Sequence, residues 1–305
     1  NGYELSYDIG YGLGSTHAHV GWASSTVSHC LVTVDESNQF EEPGSGGSLL
    51  LFADMPGAKV AEATSELSYA ASDVSEYRRT VALMDGGYLV DIFRVTGGKQ
   101  HDYGFGSIGT DLEPFGIGTL VPQEGSLAEG YDWGRKIGMD GDIAGYPGKP
   151  YWNPPPGNGY GFFFDVRKGA PSGTWGGTWT IDGAVPATMR MHVTGDPAEA
   201  ILTSAPGLYP HLPLASYVMA RRETEDDTPL ESTFIAVYEP FAQEGLTYDF
   251  DYNQLGARLV RETAEAKTLP GLSAIVLKGT QPGDVMEFEL ELGPDTPTEL
   301  IAHCM

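Results

Sequence analysis

The chain has 305 residues, with 42 acidic against 17 basic side chains and a net charge of −25. That length buries a large core, as one big domain or two smaller ones, and the charge excludes nucleic acid and anionic membrane surfaces, because no basic surplus exists to neutralise phosphate. With 41 glycines and 21 prolines, the chain favours many short strands joined by turns, and no apolar run reaches the roughly 18 residues a membrane helix needs.

Residues 3–9 alternate as a strand would and end at Asp8, before the glycine-rich stretch 10–14. A loop with His17 and His19 leads to Trp22, and Ser28-His29-Cys30 opens an apolar strand at 31–35. Strands are expected at 49–52 and 58–67, after a polar, glycine-rich loop at 42–48. The central stretch is 88–106. It starts as a strand in which Tyr88, Val90, Ile92 and Arg94 alternate with Leu89, Asp91, Phe93 and Val95, and Asp85-Gly86-Gly87 joins it to a strand at 79–84. Gly97-Gly98 ends it, and Lys99, His101, Asp102 and Tyr103 follow at once. Two readings stand for this cluster: a polar site presented at the far end of a strand, or a hairpin end whose His and Asp satisfy backbone groups.

Residues 104–160 read as long aromatic loops over a sheet, with one hairpin at 119–122; such loops are often functional. Strands resume at 161–167, 174–181, 187–193 and 199–203, with a bulge or tight bend where Trp175 and Trp179 flank Gly176-Gly177. A hairpin joins 217–222 to 232–238, and the tail alternates again at 248–252, 257–261, 274–278 and 285–292. Segments 196–202 and 263–268 have helical composition but are too short to stand alone. The expected fold is all-β, a large antiparallel β-sandwich of two stacked sheets. Its expected division is a sandwich over 1–212 and a smaller C-terminal β-sheet region over 213–305 that completes or flanks it. Because the chain opens without an initiator Met or a signal peptide, in what reads as mid-strand, it is expected to be a piece of a longer protein. Cys30 and Cys304 leave pairing open, and no CxxC zinc signature occurs.

Three groups of residues bear on chemistry. Asp8, His17, His19 and His29 are the carboxylate and imidazole types that suit zinc, although their spacing is not diagnostic; the alternative is a buried His29 bonded to backbone, with His17 and His19 solvated. Arg78, Arg79, Arg94, Lys99, His101 and Tyr103 form a cationic or titratable run in an acidic chain: either a groove for an anionic substrate, or strand charges paired with Asp85, Asp91 and Asp102. Tyr131, Trp133, Tyr151 and Trp152 either stack on sugar rings or plug the ends of the sandwich. No nucleophile elbow, P-loop or dinucleotide fingerprint is present.

Tyr7-Asp8-Ile9-Gly10-Tyr11, the segment Thr26 to Asp35, and the hairpin Tyr77-Arg78-Arg79-Thr80, Val90 to Val95 and Gly97 to Tyr103 together resemble the C-terminal β-sheet half of the heparinase II/III-like polysaccharide lyases, a group that includes oligoalginate lyases. The resemblance runs over most of the chain. It implies a super-sandwich that partners an N-terminal α/α toroid, which this chain lacks, with substrate lying between the two. It implies β-elimination on an acidic polysaccharide or oligosaccharide, such as alginate or a glycosaminoglycan, by a bacterial enzyme that is periplasmic or secreted. It also implies zinc, with Asp8 and His29 as its second and third ligands and the first His upstream of residue 1; Cys30 stands where the family carries Asn. On the sandwich side it points to His101 and Tyr103 for proton transfer, with Arg94 or Lys99 near the uronate carboxylate. Arg78 of the cationic run and Trp133 and Trp152 of the aromatic loops are expected as further substrate contacts. The other function class is a non-catalytic carbohydrate-binding or scaffolding sandwich.

Overall fold

In the computed structural model of the chain the described residues are 8–9, 14–107, 111–146, 149–181, 187–196, 198–207 and 214–240 with their side chains, residue 241 as backbone, and the backbone of five further strands. The expected strand at 3–7, the turn at 10–13, Cys304 and the 263–268 segment lie outside them. In chain order the strands are β1 (Val32–Val34), β2 (Ser48–Met55), β3 (Ala58–Thr64), β4 (Glu76–Met84), β5 (Leu89–Thr96), β6 (Gln100–Ser107), β7 (Asp111–Ile117), β8 (Val121–Pro122), β9 (Phe164–Gly169) and β10 (Pro171–Ile181). They continue as β11 (Ala187–Gly195), β12 (Glu199–Pro206), β13 (Leu214–Glu223), β14 (Glu231–Phe241), β15 (Thr247–Asn253), β16 (Gly256–Glu262), β17 (Leu272–Lys278), β18 (Glu287–Leu292) and β19 (Leu300–His303). Helical structure among the described residues is limited to short turns, none long or apolar enough to cross a membrane.

Successive side chains of a strand point to opposite faces, and in the first two sheets each face has its own destination. One sheet has the order β1-β6-β13-β12-β9-β8, the other β2-β3-β4-β5-β14-β11-β10-β7, and every strand pairing among the described residues is antiparallel. Their inner faces meet in one core, where Val32, Tyr103, Phe105, Val218 and Ala220 face Tyr77, Phe93, Val95, Trp179, Met191 and Phe234. β15 to β19 pair among themselves as a third sheet. The all-antiparallel sandwich expected from the alternation is therefore the fold observed. β13 and β14 pair in the interiors of the two large sheets, and the third sheet begins after them.

The β5–β6 connection is the pivot of this arrangement. Gly97 (φ 125°) and Gly98 (φ 66°) take left-handed backbone conformations that carry the chain from the eight-stranded sheet to the six-stranded one. Residues 99–103 thus do not extend the β5 strand into a polar end: they begin a strand of the opposite sheet, and His101 and Tyr103 turn inward. On the inner face of the eight-stranded sheet Arg79 of β4 grips Asp91 of β5 with two parallel bonds, Nε to Oδ1 at 2.9 Å and Nη2 to Oδ2 at 2.7 Å. The Tyr103 hydroxyl donates to Asp91 Oδ2 at 2.8 Å and lies 2.5 Å from the Tyr238 hydroxyl.

The other face of the six-stranded sheet is also covered. Ile201, Tyr217 and Met219 pack against Trp22, Val27, Leu127, Tyr160, Phe162 and Phe163, which come from the turns at His19–Ala23 and Thr26–Ser28 and from the 126–163 segment. A side chain at Gly106 would collide with the Tyr217 ring 2.5 Å away, so glycine there lets the ring lie across the strand. A second buried carboxylate fastens this outer layer. Asp102 receives Arg221 through Nε at 2.7 Å and Nη2 at 2.8 Å, and accepts from Tyr160 Oη at 2.7 Å and Gln100 Nε2 at 2.8 Å.

Two details differ from expectation. Residues 104–160 are not all loop: β6 runs to Ser107, and β7 was hidden by Pro114 and Gly116, which an edge strand tolerates because one side of its backbone is unpaired. The 119–122 hairpin is absent; β8 instead pairs with β9. At the edge of the eight-stranded sheet opposite β7, β2 exposes Leu49, Leu50 and Phe52.

The outer face of the eight-stranded sheet holds a buried acid–base pair. His192 Nε2 and Glu239 Oε2 are 2.8 Å apart, beside Tyr88 and Arg190, and Phe115 packs on the imidazole at 5.2 Å. Burial pushes the Glu239 carboxyl up to about 8 and the imidazole down to about 3. A neutral carboxyl donating to a neutral imidazole is therefore the resting state, and the folded pair holds one proton between about pH 3 and pH 8.

Two outcomes follow for stability. Asp102→Asn removes the bidentate partner of a buried guanidinium, leaving it only the half-exposed Glu36 carboxylate at 3.2 Å, and should cost about 2–4 kcal/mol in urea unfolding; a loss under about 1 kcal/mol would show that the Asp102 network does not fasten the outer layer. For the His192–Glu239 pair, the unfolded chain carries two protons below the ordinary carboxyl value of 4.5, one up to 6.5 and none above it. The folded state therefore binds one proton more than the unfolded between pH 6.5 and 8, and one fewer between pH 3 and 4.5. Its contribution should be flat from pH 4.5 to 6.5 and fall on both sides, by about 2 kcal/mol on the alkaline side. Comparing unfolding of the parent and of Glu239→Gln across that range checks this: the alkaline decline should disappear in the variant.

Candidate functional site

Asp8 and His29 converge. Nδ1 of His29 donates to Asp8 Oδ2 at 2.8 Å, with His29 about a third exposed and Asp8 more so. Local structure sets both ends. Ile9, beside Asp8, is buried in the outer layer. His29 closes the Thr26–Ser28 turn, its N–H donating to Thr26 O at 3.1 Å, and that turn is pinned where Thr26 N–H donates to Asn38 Oδ1 and Gln39 N–H to Thr26 Oγ1. Cys30, next in the chain, turns toward β6, its thiol 3.8 Å from Gly106 O.

A carboxylate oxygen and an imidazole nitrogen are suitable zinc donors, and two ligands on a tetrahedral zinc stand about 3.3 Å apart. The observed 2.8 Å separation needs only a small rotation of two partly exposed side chains, so the pair fits as two members of a zinc set. Among the described residues, no cluster of three or more His, Cys, Asp or Glu side chains is placed to hold a metal.

The other histidines of that region have different tasks, and the alternative reading, a buried His29 with a solvated His17, is reversed. His17 is buried: its Nε2 donates to Lys149 O at 2.9 Å and its Nδ1 accepts from Ile143 N–H at 3.2 Å, which uses both ring nitrogens. Its ring meets Tyr146 edge-on at 5.0 Å. His17 is thus a structural clamp, while His29 faces outward. His19 starts the His19–Ala23 turn.

The expected proton-transfer pair does not fit its placement. His101 is fully enclosed, with Nε2 donating to Gly97 O at 2.6 Å and Nδ1 accepting from Ser232 Oγ at 2.7 Å, and burial lowers its pKa. Tyr103 is equally enclosed, and burial pushes its hydroxyl well above the ordinary tyrosine range. Neither presents an atom that a glycan could reach, so both serve the core and the hairpin turn.

Nor do the expected substrate contacts form one groove. Arg79 and Phe93 point into the core, so by alternation Arg78 and Arg94, cross-strand neighbours in register, lie on the outer face of the eight-stranded sheet. Arg78 pairs there with Glu62. Lys99 sits at the hairpin end, its ammonium donating to the carbonyls of Asp226 and Thr228. Trp133 and Trp152 belong to the other side of the sandwich, with Asp8 and His29. Of these two, Trp133 is a plug: Tyr131 stacks on it at 5.8 Å, Lys136 sits over its ring at 5.5 Å and Tyr146 meets it edge-on at 5.4 Å. Trp152 is open, at 68% exposure. Sequence reading missed the support beneath it, His17 and Tyr146, because nothing in their spacing marks a loop anchor.

No protein-family model matches the chain, and no curated protein matches its sequence. Among solved structures, a heparinase III superposes with a TM-score of 0.54 at 13% identity, over 99% of this chain and 35% of that one. A second heparinase III crystal structure gives 0.48 at 13% identity, over 88% and 34%, and the heparan sulfate lyase HepC from Pedobacter heparinus gives 0.42 at 10% identity, over 99% and 35%. The chain therefore spans about a third of the length of these proteins. The first match shows a shared fold, and the resemblance to the heparinase II/III-like lyases is borne out at that level.

Proposed function

We propose that this chain is the β-sandwich part of a polysaccharide lyase that cleaves uronic-acid-containing glycans by β-elimination. Its outer layer forms one wall of the substrate cleft and supplies part of a zinc site. The observation that carries this reading is the Asp8–His29 pair, two zinc-type donors 2.8 Å apart on the layer that also presents Trp152. The shared fold with heparinase III supports it.

β-Elimination at a uronate requires the carboxylate to be neutralised, the C5 proton removed and the departing glycosidic oxygen protonated. Zinc, when bound, supplies positive charge to the site. Asp8 and His29 hold it, and the turn from Thr26 to Ser28 keeps the His29 ring oriented. Trp152 lies on the same face as a sugar contact. Because His101 and Tyr103 are enclosed, the proton-transfer groups come from the part of the protein that faces this wall, which the family resemblance identifies as an α/α toroid. An extracellular or periplasmic bacterial location follows from a polymeric substrate of this kind.

The test is to incubate the full-length protein, this chain joined to the part that faces its wall, with heparan sulfate and with alginate, following the ultraviolet absorbance of the unsaturated uronate product, and to measure bound zinc on the same samples. Product should form on one of them, and His29→Ala should weaken zinc binding by more than the roughly 10–100-fold that losing a supporting contact costs. Absence of unsaturated product on every uronate glycan tried would overturn the lyase reading. Unchanged zinc content in both His29→Ala and Asp8→Asn would overturn the assigned ligands.

A further inference from the structure

Residues 149–156 read Lys-Pro-Tyr-Trp-Asn-Pro-Pro-Pro. Four prolines restrict the backbone before any tertiary contact forms, and the fold then fastens the segment at successive points. His17 Nε2 donates to Lys149 O at 2.9 Å, Asn153 N–H to Pro150 O at 3.0 Å, Tyr146 Oη to Pro154 O at 3.2 Å and Trp133 Nε1 to Pro156 O at 2.9 Å. Pro155 fills the space that a side chain at Gly21 would need, its Cγ only 2.4 Å from that position. The fastening uses backbone carbonyls and a proline ring, so it leaves Tyr151 and Trp152 uncommitted.

Those two side chains face solvent, at 39% and 68% exposure, and meet edge-on at 5.1 Å. Trp133 and Tyr146, earlier in the same covering segment, show what aromatics with a packing task do here: they are partly buried and spend their polar atoms on the loop. Tyr151 and Trp152 pack into neither core cluster, although leaving a large aromatic surface in water is unfavourable. The loop's stiffness lowers the ordering cost of binding at that surface. Lys149, two residues before Tyr151, adds an exposed cation to the same loop in a chain with few, and no ion pair to it occurs among the described residues.

We infer that the Lys149–Trp152 loop is a saccharide subsite that stacks a pyranose ring on the open face of Trp152, with Tyr151 edge-on beside it, and reads a carboxylate or sulfate through Lys149. This inference rests on the proposed action on acidic glycans but uses residues apart from Asp8 and His29. The flat face of an indole suits the axial C–H groups of a sugar ring, and an ammonium beside it distinguishes an acidic sugar from a neutral one.

The probes are a heparan-sulfate oligosaccharide, an oligoalginate and a neutral cello-oligosaccharide, titrated calorimetrically onto the protein and its variants. Trp152→Ala should weaken binding of the acidic probe that binds the parent by about tenfold, the scale of one aromatic stacking contact. Lys149→Gln should weaken that probe while leaving any neutral-sugar binding unaltered. Thermal unfolding midpoints that match the parent would exclude misfolding as the cause. If both variants bind the acidic probe like the parent, or if no saccharide binds the parent, the subsite is overturned. The lyase reading is judged separately by unsaturated product, which either result leaves open to measurement; Trp152-dependent binding without product would uphold the subsite and remove the lyase.

Discussion

Asp91 and Asp102 are the constraint on which the layers depend. A carboxylate out of water is costly unless it is paired and fully hydrogen-bonded, and each of these two is satisfied only when distant parts of the chain meet. Asp91 needs Arg79 beside it and Tyr103 from the opposite sheet, so it ties sheet to sheet. Asp102 needs Arg221 from β13 and Tyr160 from the covering segment, so it ties the outer layer to the six-stranded sheet. The two flank the Gly97-Gly98 turn. A chain that failed to change sheets there would leave one of them facing the wrong way, and the hairpin thus acts as a switch that selects one packing of the layers.

The strand pattern was legible because alternation of apolar and polar residues is a local property, and β4, β5, β10, β11, β13 and β14 lie close to where it places them. Which sheet a strand joins is not local. The sequence from Lys99 to Tyr103 looks the same whether it ends one strand or starts another, and for that reason His101 and Tyr103 read as a presented site when they are core groups. The charge pairing of Arg79 with Asp91 was among the readings that the residues allowed; the pairing of Asp102 with Arg221, remote in sequence, could not be read from spacing. β7 escaped notice because Pro114 and Gly116 are strand breakers everywhere except at an edge.

The candidate site shows the same division. Asp8 and His29 came from likeness to a family, and spacing alone did not separate them from His17 and His19. Depth separates His29 from His17: His17 spends both nitrogens on backbone inside the outer layer, whereas His29 keeps its ring partly exposed with a carboxylate as its partner. The aromatic loop residues likewise split into the two fates that their composition left open, Trp133 inward and Trp152 outward. Arg78 and Arg94 lie across the sandwich from both, and the cations that looked like a groove in the sequence belong to another surface.

The β2 edge has a consequence for handling the protein. A strand of 8 residues at the rim of a sheet, with Leu49, Leu50 and Phe52 uncovered, offers a template for another chain to pair with. What opposes such pairing at neutral pH is the charge of −25, which keeps molecules apart. Acidification toward the isoelectric point near 4.4 removes that repulsion while leaving the edge in place. Colloidal behaviour in mildly acidic buffer is thus governed by this rim, and a lysine introduced on β2 would be the smallest change that separates solubility from net charge.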